Sequence, residues 1–173
     1  MTTFEQDLQF LEAAVPELQD YLLSKELFWP LGGSLPRLTP GMFLLIQARL
    51  TASPSSRSTE LESQADQVRQ SWKTAWLNKV SAEIPTRIRL WSQYIDDTFS
   101  DPENDNSVYE VEVRNRVILQ LLSEEDPVSP ELSALDALDG MLYRRLIPGE
   151  FVWDTSLMTV FSEKTYWFLY GKI

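Results

Sequence analysis

The segment Asp101-Pro-Glu103-Asn-Asp105-Asn-Ser107-Val-Tyr109-Glu-Val-Glu112 sets oxygen-bearing side chains at positions 1, 3, 5, 7 and 12 of a twelve-residue stretch. That spacing suits a hard cation. A tight loop wraps an ion only when alternate residues point inward and a last carboxylate closes the shell from the following helix. Asp101, Glu103, Asp105, Ser107 and Glu112 are therefore the candidate ligands for such a cation, if one is bound. A second pair, Asp136 and Asp139, stands three residues apart, the spacing that puts two carboxylates on one helix face, and offers magnesium-dependent hydrolysis. Other chemistries are closed by composition, since the chain has no His and no Cys. Disulfides, thiolate nucleophiles, zinc ribbons, imidazole bases and the Ser-His-Asp triad are all excluded. Neither G-x-G-x-x-G, a P-loop, G-x-S-x-G nor S-x-x-K occurs, so nucleotide cradles and the familiar serine nucleophiles lack their signatures. A two-carboxylate glycosidase with Trp29 or Trp153 stacked on sugar has nothing to fix which acids would pair.

The 101–112 segment resembles an EF-hand calcium loop, with Val108 at the eighth position where that family carries an aliphatic residue. The resemblance implies calcium held by Asp101, Glu103, Asp105, Ser107 and Glu112, and it covers twelve of 173 residues. Three positions depart from the family pattern: Asn106 replaces the turn glycine, Glu103 replaces the shorter Asp or Asn, and Pro102 restricts the start. No second loop of this kind is present to form the usual pair. The competing reading makes Ser107 and Glu110 a helix capping box. Asp136-x-x-Asp139 faintly resembles the acid pairs with which all-α nucleotide pyrophosphohydrolases hold magnesium, but no second pair stands ready on a facing helix. At 100° per residue Asp139 projects between Leu132, Leu135 and Leu146, so a structural ion pair with an Arg is the simpler expectation.

The elements that position these residues follow from apolar spacings of three and four. Phe4, Leu8, Leu11, Val15, Leu18 and Leu22 form one stripe, with Thr3 as N-cap and Pro16 either kinking the helix or starting another. Residues 28–41 carry three Pro and three Gly and form a loop, and Thr39-Pro40 caps a helix over 42–50. The Ser-rich stretch 51–59 reads as a mobile linker. A helix then carries Leu61, Ala65, Val68, Trp72 and Trp76, capped by Thr59 and Glu62, and a further one carries Ile84, Ile88, Trp91, Ile95 and Phe99 with Pro85 in its first turn. Residues 108–122 satisfy both a strand and a helix pattern. Helix is preferred, since no second strand stands nearby to pair with it. Ser129-Pro130 starts a helix bearing Leu132, Leu135, Leu138, Leu142 and Leu146, ended by Ile147-Pro-Gly149. The aromatic-rich last 23 residues, with seven of the chain's 20 aromatics, read as one more packed helix.

An all-α, single-domain bundle of about six to eight helices over residues 1–173 is therefore expected. Of 26 acids and 15 bases, 13 acids and two bases lie within 96–139, so this quarter of the chain carries the whole net charge of −11. Nucleic-acid binding is disfavoured by that balance. The acidic quarter either attracts a cation or basic partner or is solvated surface. No apolar run suits a membrane span or a secretory signal, and a cytoplasmic protein is expected. The function expected is that of a non-enzymatic interaction or assembly protein, working with a protein partner or as a homo-oligomer. The alternative is a divalent-cation-binding protein using calcium at 101–112 or magnesium at Asp136 and Asp139.

Overall fold

The structure is a computed structural model, and it describes residues 4–101 and 106–173. Among them the chain is predominantly all-α, with helices α1 (Phe4–Leu23), α2 (Pro40–Thr51), α3 (Ser56–Ser71), α4 (Lys73–Ser100), the single turn α5 (Tyr109–Glu112), α6 (Arg114–Glu125) and α7 (Ser133–Arg145). A two-stranded antiparallel ribbon, β1 (Ile147–Phe151) with β2 (Tyr170–Lys172), is the one sheet among the described residues. No helix is long and apolar enough to cross a membrane among these residues. The chain divides into two compact units, residues 2–83 and 84–173, with the boundary falling inside α4.

In the first unit α1 packs on α2 and α3. Its buried face is Phe10, Leu11, Ala14, Val15, Leu18, Tyr21 and Leu22, which includes four of the six residues of the stripe expected, while Phe4 at the helix start is 42% exposed. The buried face also holds a charge. Asp7 is buried on that face in a bidentate pair with Arg49, at 2.5 and 2.9 Å. α1 continues through Pro16 as one helix. Thr39 caps α2 as expected, accepting the Met42 amide at 3.0 Å, with Pro40 in the first turn. Of the stretch 51–59, Thr51 ends α2, residues 52–55 form a short non-helical connection, and Ser56 begins α3. Ser55 and Ser58 form a reciprocal capping box that starts α3, so part of this Ser-rich composition is helix-cap chemistry. The Thr59 and Glu62 cap expected there is thereby displaced by one turn.

α4 carries two buried charges one turn apart, Lys79 and Glu83, each matched to the end of another helix. Glu83 is fully buried and accepts the Gly41 amide at the N-terminus of α2 at 2.6 Å. Lys79 donates to the Ser24 carbonyl at 2.9 Å and to the Glu26 carbonyl just beyond the C-terminus of α1, and its ammonium lies 4.7 Å from the Tyr21 ring centre. An anion at a helix N-terminus and a cation at a C-terminus each complement the backbone dipole. The break between α3 and α4 falls at Trp72 (φ −122°, ψ 42°) and not near Pro85, which stands inside a continuous helix. An interior proline costs about 3 kcal/mol. Val80, Glu83, Ile84 and Arg87 around it are all buried.

The second unit gathers Trp91 and Ile95 of α4, Tyr109 of α5, Val113, Val117, Ile118 and Leu122 in and before α6, and Leu135, Leu138 and Leu142 of α7. The helical reading of 108–122 is borne out, in three pieces: a 3-10 turn over Asn106–Val108, then α5, then α6. Ser107 does not cap it, since Val108 holds the N-cap position with no side-chain bond. The last 23 residues are packed but are not a helix. They hold the last residue of β1, two 3-10 turns (Thr155–Thr159 and Trp167–Leu169) and β2, with Trp153, Phe161, Tyr166 and Phe168 meeting edge to face at centroid distances of 5.0–6.0 Å.

Burial raises the phenols of Tyr21, Tyr94, Tyr109, Tyr166 and Tyr170 above their ordinary value of 10.0, Tyr166 being pushed up to about 12 by burial and then by Glu124. Their protons are held more tightly in the folded chain than in the unfolded one. The stability that Tyr166 contributes is therefore complete below pH 10 and is lost as pH rises through about 12, and the other four act in the same direction. In a spectrophotometric titration at 295 nm these phenols should ionise together with loss of the helical circular-dichroism signal. Ordinary ionisation of all five with helicity intact would contradict their burial.

Candidate functional site

Of the residues expected to ligate calcium, Glu103 and Asp105 lie outside the described residues. Asp101 is exposed just past the end of α4, Ser107 is exposed in the 3-10 turn, and Glu112 is half-buried at the end of α5. Among the described residues no three acidic side chains come together in a group that suits a metal ion.

The magnesium pair is divided by its surroundings. Asp136 is exposed, whereas Asp139 receives two parallel hydrogen bonds from Arg116, Nε to Oδ1 and Nη2 to Oδ2, each 2.8 Å. Both carboxylate oxygens are thus committed to a guanidinium, the structural ion pair that the leucine-framed position of Asp139 suggests. Arg116 is 5% exposed, and its guanidinium carbon stands 4.4 Å from the Phe168 ring centre. Its Nη1 is buried without a hydrogen-bond partner among the described residues. Tyr109 closes the same neighbourhood by donating to the Phe168 carbonyl at 2.6 Å, and Arg87 donates to Asn115 at 2.9 Å. Sequence spacing alone does not single out Arg116 as this partner. The signal available was Asp139 itself, an acid on an apolar face that required a buried cation.

An open groove of about 510 Å³ lies in the second unit beside the ribbon. Tyr109 and Glu110 form one wall, and Ile147, Glu150, Phe151 and Lys172 lie along the other. Four of the five residues of β1 are exposed, Ile147 by 60%. The Trp153 indole donates to the Glu110 carbonyl at 2.9 Å and so fastens α5 to the chain that leaves β1. Gly171 allows the ribbon to close, since a Cβ there would stand 2.4 Å from the Ile147 carbonyl oxygen. No sequence pattern announced this groove, because the residues that build β1 were read only as the end of a helix.

Asp139→Asn removes the charge that answers a buried Arg. It should cost about 3 kcal/mol in urea unfolding, while the double change Arg116→Met with Asp139→Leu should recover most of that loss. A cost below about 0.5 kcal/mol for the single change, the range of an exposed pair, would show that the pair does not hold the unit together. No protein-family model matches the chain, and neither a curated protein nor a solved structure is significantly similar to it.

Proposed function

We propose that this is a non-enzymatic interaction protein, and that the ribbon groove receives an extended segment of a partner protein bearing basic and apolar side chains. The observation that carries the reading is the exposure of β1 along four of five residues beside an open groove. A solvent-facing strand with Ile147 on it offers an apolar strip of a kind that partner chains cover. Pro148 lacks an amide hydrogen, which favours recognition through side chains in the groove over addition of a further strand. Glu110 and Glu150 flank the strip against the single cation Lys172. The whole unit 84–173 holds sixteen acids and eight bases, so self-association is opposed by like charge and a basic partner is attracted.

A random twelve-residue peptide library selected on the immobilised protein tests this. Recovered peptides should combine Lys or Arg with aliphatic or aromatic residues and bind with a Kd on the order of micromolar, weakening as salt is raised. Ile147→Asp and Glu150→Lys change exposed side chains, and each should weaken binding about tenfold with the melting temperature unchanged. Acidic peptides, or affinities indifferent to both substitutions, would overturn the assignment.

A further inference from the structure

A second groove, of about 420 Å³, lies between α1 and α3 in the first unit, and its chemistry differs from that of the ribbon groove. It is lined by Val15, Pro16 and Gln19 of α1 and by Gln64, Gln67, Val68, Ser71 and Trp72 of α3 and its end. None of these residues is charged. Several charged side chains of α3 are held in pairs: Arg57 with Glu12 at 3.2 Å and Glu60 at 3.1 Å, and Arg69 with Asp66. A neutral, polar gap is left within a surface of ion pairs.

Trp72 is 37% exposed and is the most exposed of the six tryptophans. Its position follows from the backbone, because the junction of α3 and α4 leaves helical geometry at this residue. Gln64, Gln67 and Ser71 recur at spacings of three and four, which aligns them on one face of α3, and Gln19 stands three residues beyond Pro16 on α1. Among the described residues the three amides have no hydrogen bond or ion pair within the chain. A carboxamide both donates and accepts, which is the capacity a hydroxyl group requires of its partner. An exposed indole supplies a flat apolar face to cover the C–H face of a ring. The volume falls within the roughly 300–1,000 Å³ of small-ligand sites.

We infer that this groove binds a neutral saccharide, with one sugar ring stacked on Trp72 and its hydroxyls bonded to Gln19, Gln64 and Gln67. A charged ligand would find no counterion in the groove. The inference is independent of the ribbon groove, whose residues lie in the other unit.

The test is calorimetric titration of the full chain with neutral cello-, xylo-, malto- and chito-oligosaccharides, beside a proline-rich peptide. One saccharide series should bind with a Kd below about 1 mM. Trp72→Ala should weaken it at least about tenfold, while Trp72→Phe, which keeps an aromatic face, should retain part of the affinity. Both variants should keep the wild-type melting temperature, which separates lost binding from lost folding. Absence of saccharide binding up to about 10 mM, equal affinity in Trp72→Ala, or binding of the proline-rich peptide alone would overturn the inference.

Discussion

A charge taken out of water costs several kcal/mol unless another group in the protein answers it, and this constraint organises both units. In residues 2–83 the answer is given by backbone as well as by side chains. Lys79 and Glu83, one turn apart on α4, hold the C-terminal end of α1 and the N-terminal end of α2 respectively. Each charge meets the helix end of opposite polarity. Exchanging the two would set each against a like partial charge, so the order of the pair helps to specify which helix end meets each turn of α4. Asp7 and Arg49 tie α1 to α2 by a side-chain pair on the same principle.

In residues 84–173 the same constraint joins an acid and a base from two helices. Asp139 would be a useful carboxylate if it were free, yet both of its oxygens are occupied by Arg116. Arg116 in turn lies against the Phe168 ring, within the aromatic assembly of the C-terminal segment. The carboxylate therefore serves as an anchor between α6 and α7. Its place in the middle of a leucine face is what makes it a poor metal ligand and a good partner for a desolvated guanidinium.

The sequence made the helices legible wherever an apolar stripe and a cap agreed. Thr39-Pro40 marked the start of α2, the leucines of α7 marked its face, and Asp139 marked a buried pair before its partner was known. Legibility failed where two local signals competed. Pro85 suggested a boundary, but the helix continues through it among buried neighbours, and the true break at Trp72 carries no Gly or Pro to announce it. The Ser-rich stretch satisfied the composition of a linker while its spacing of three, Ser55 to Ser58, satisfied a cap. The C-terminal aromatics showed that the segment is packed, but ring content does not distinguish a helix from an irregular ribbon. Both grooves escaped for a further reason: each is made by segments distant in sequence, and periodicity reports only on neighbours.

The distribution of charge between interior and surface sharpens what the second unit presents to a partner. Of its bases, Arg87 and Arg116 are buried, 6% and 5% exposed, and Arg145 rests its guanidinium on the Phe99 ring at 4.9 Å. None of its described acids is buried to that degree. Two of the eight bases are thus drawn inward for fastening, while most of the carboxylates and the remaining bases stand nearer the surface. Arginine is suited to the inward role because a planar guanidinium can donate to a carboxylate and lie on a ring at once. With sixteen acids against eight bases the unit is acidic by composition, and the two buried arginines leave that balance at its surface unrelieved.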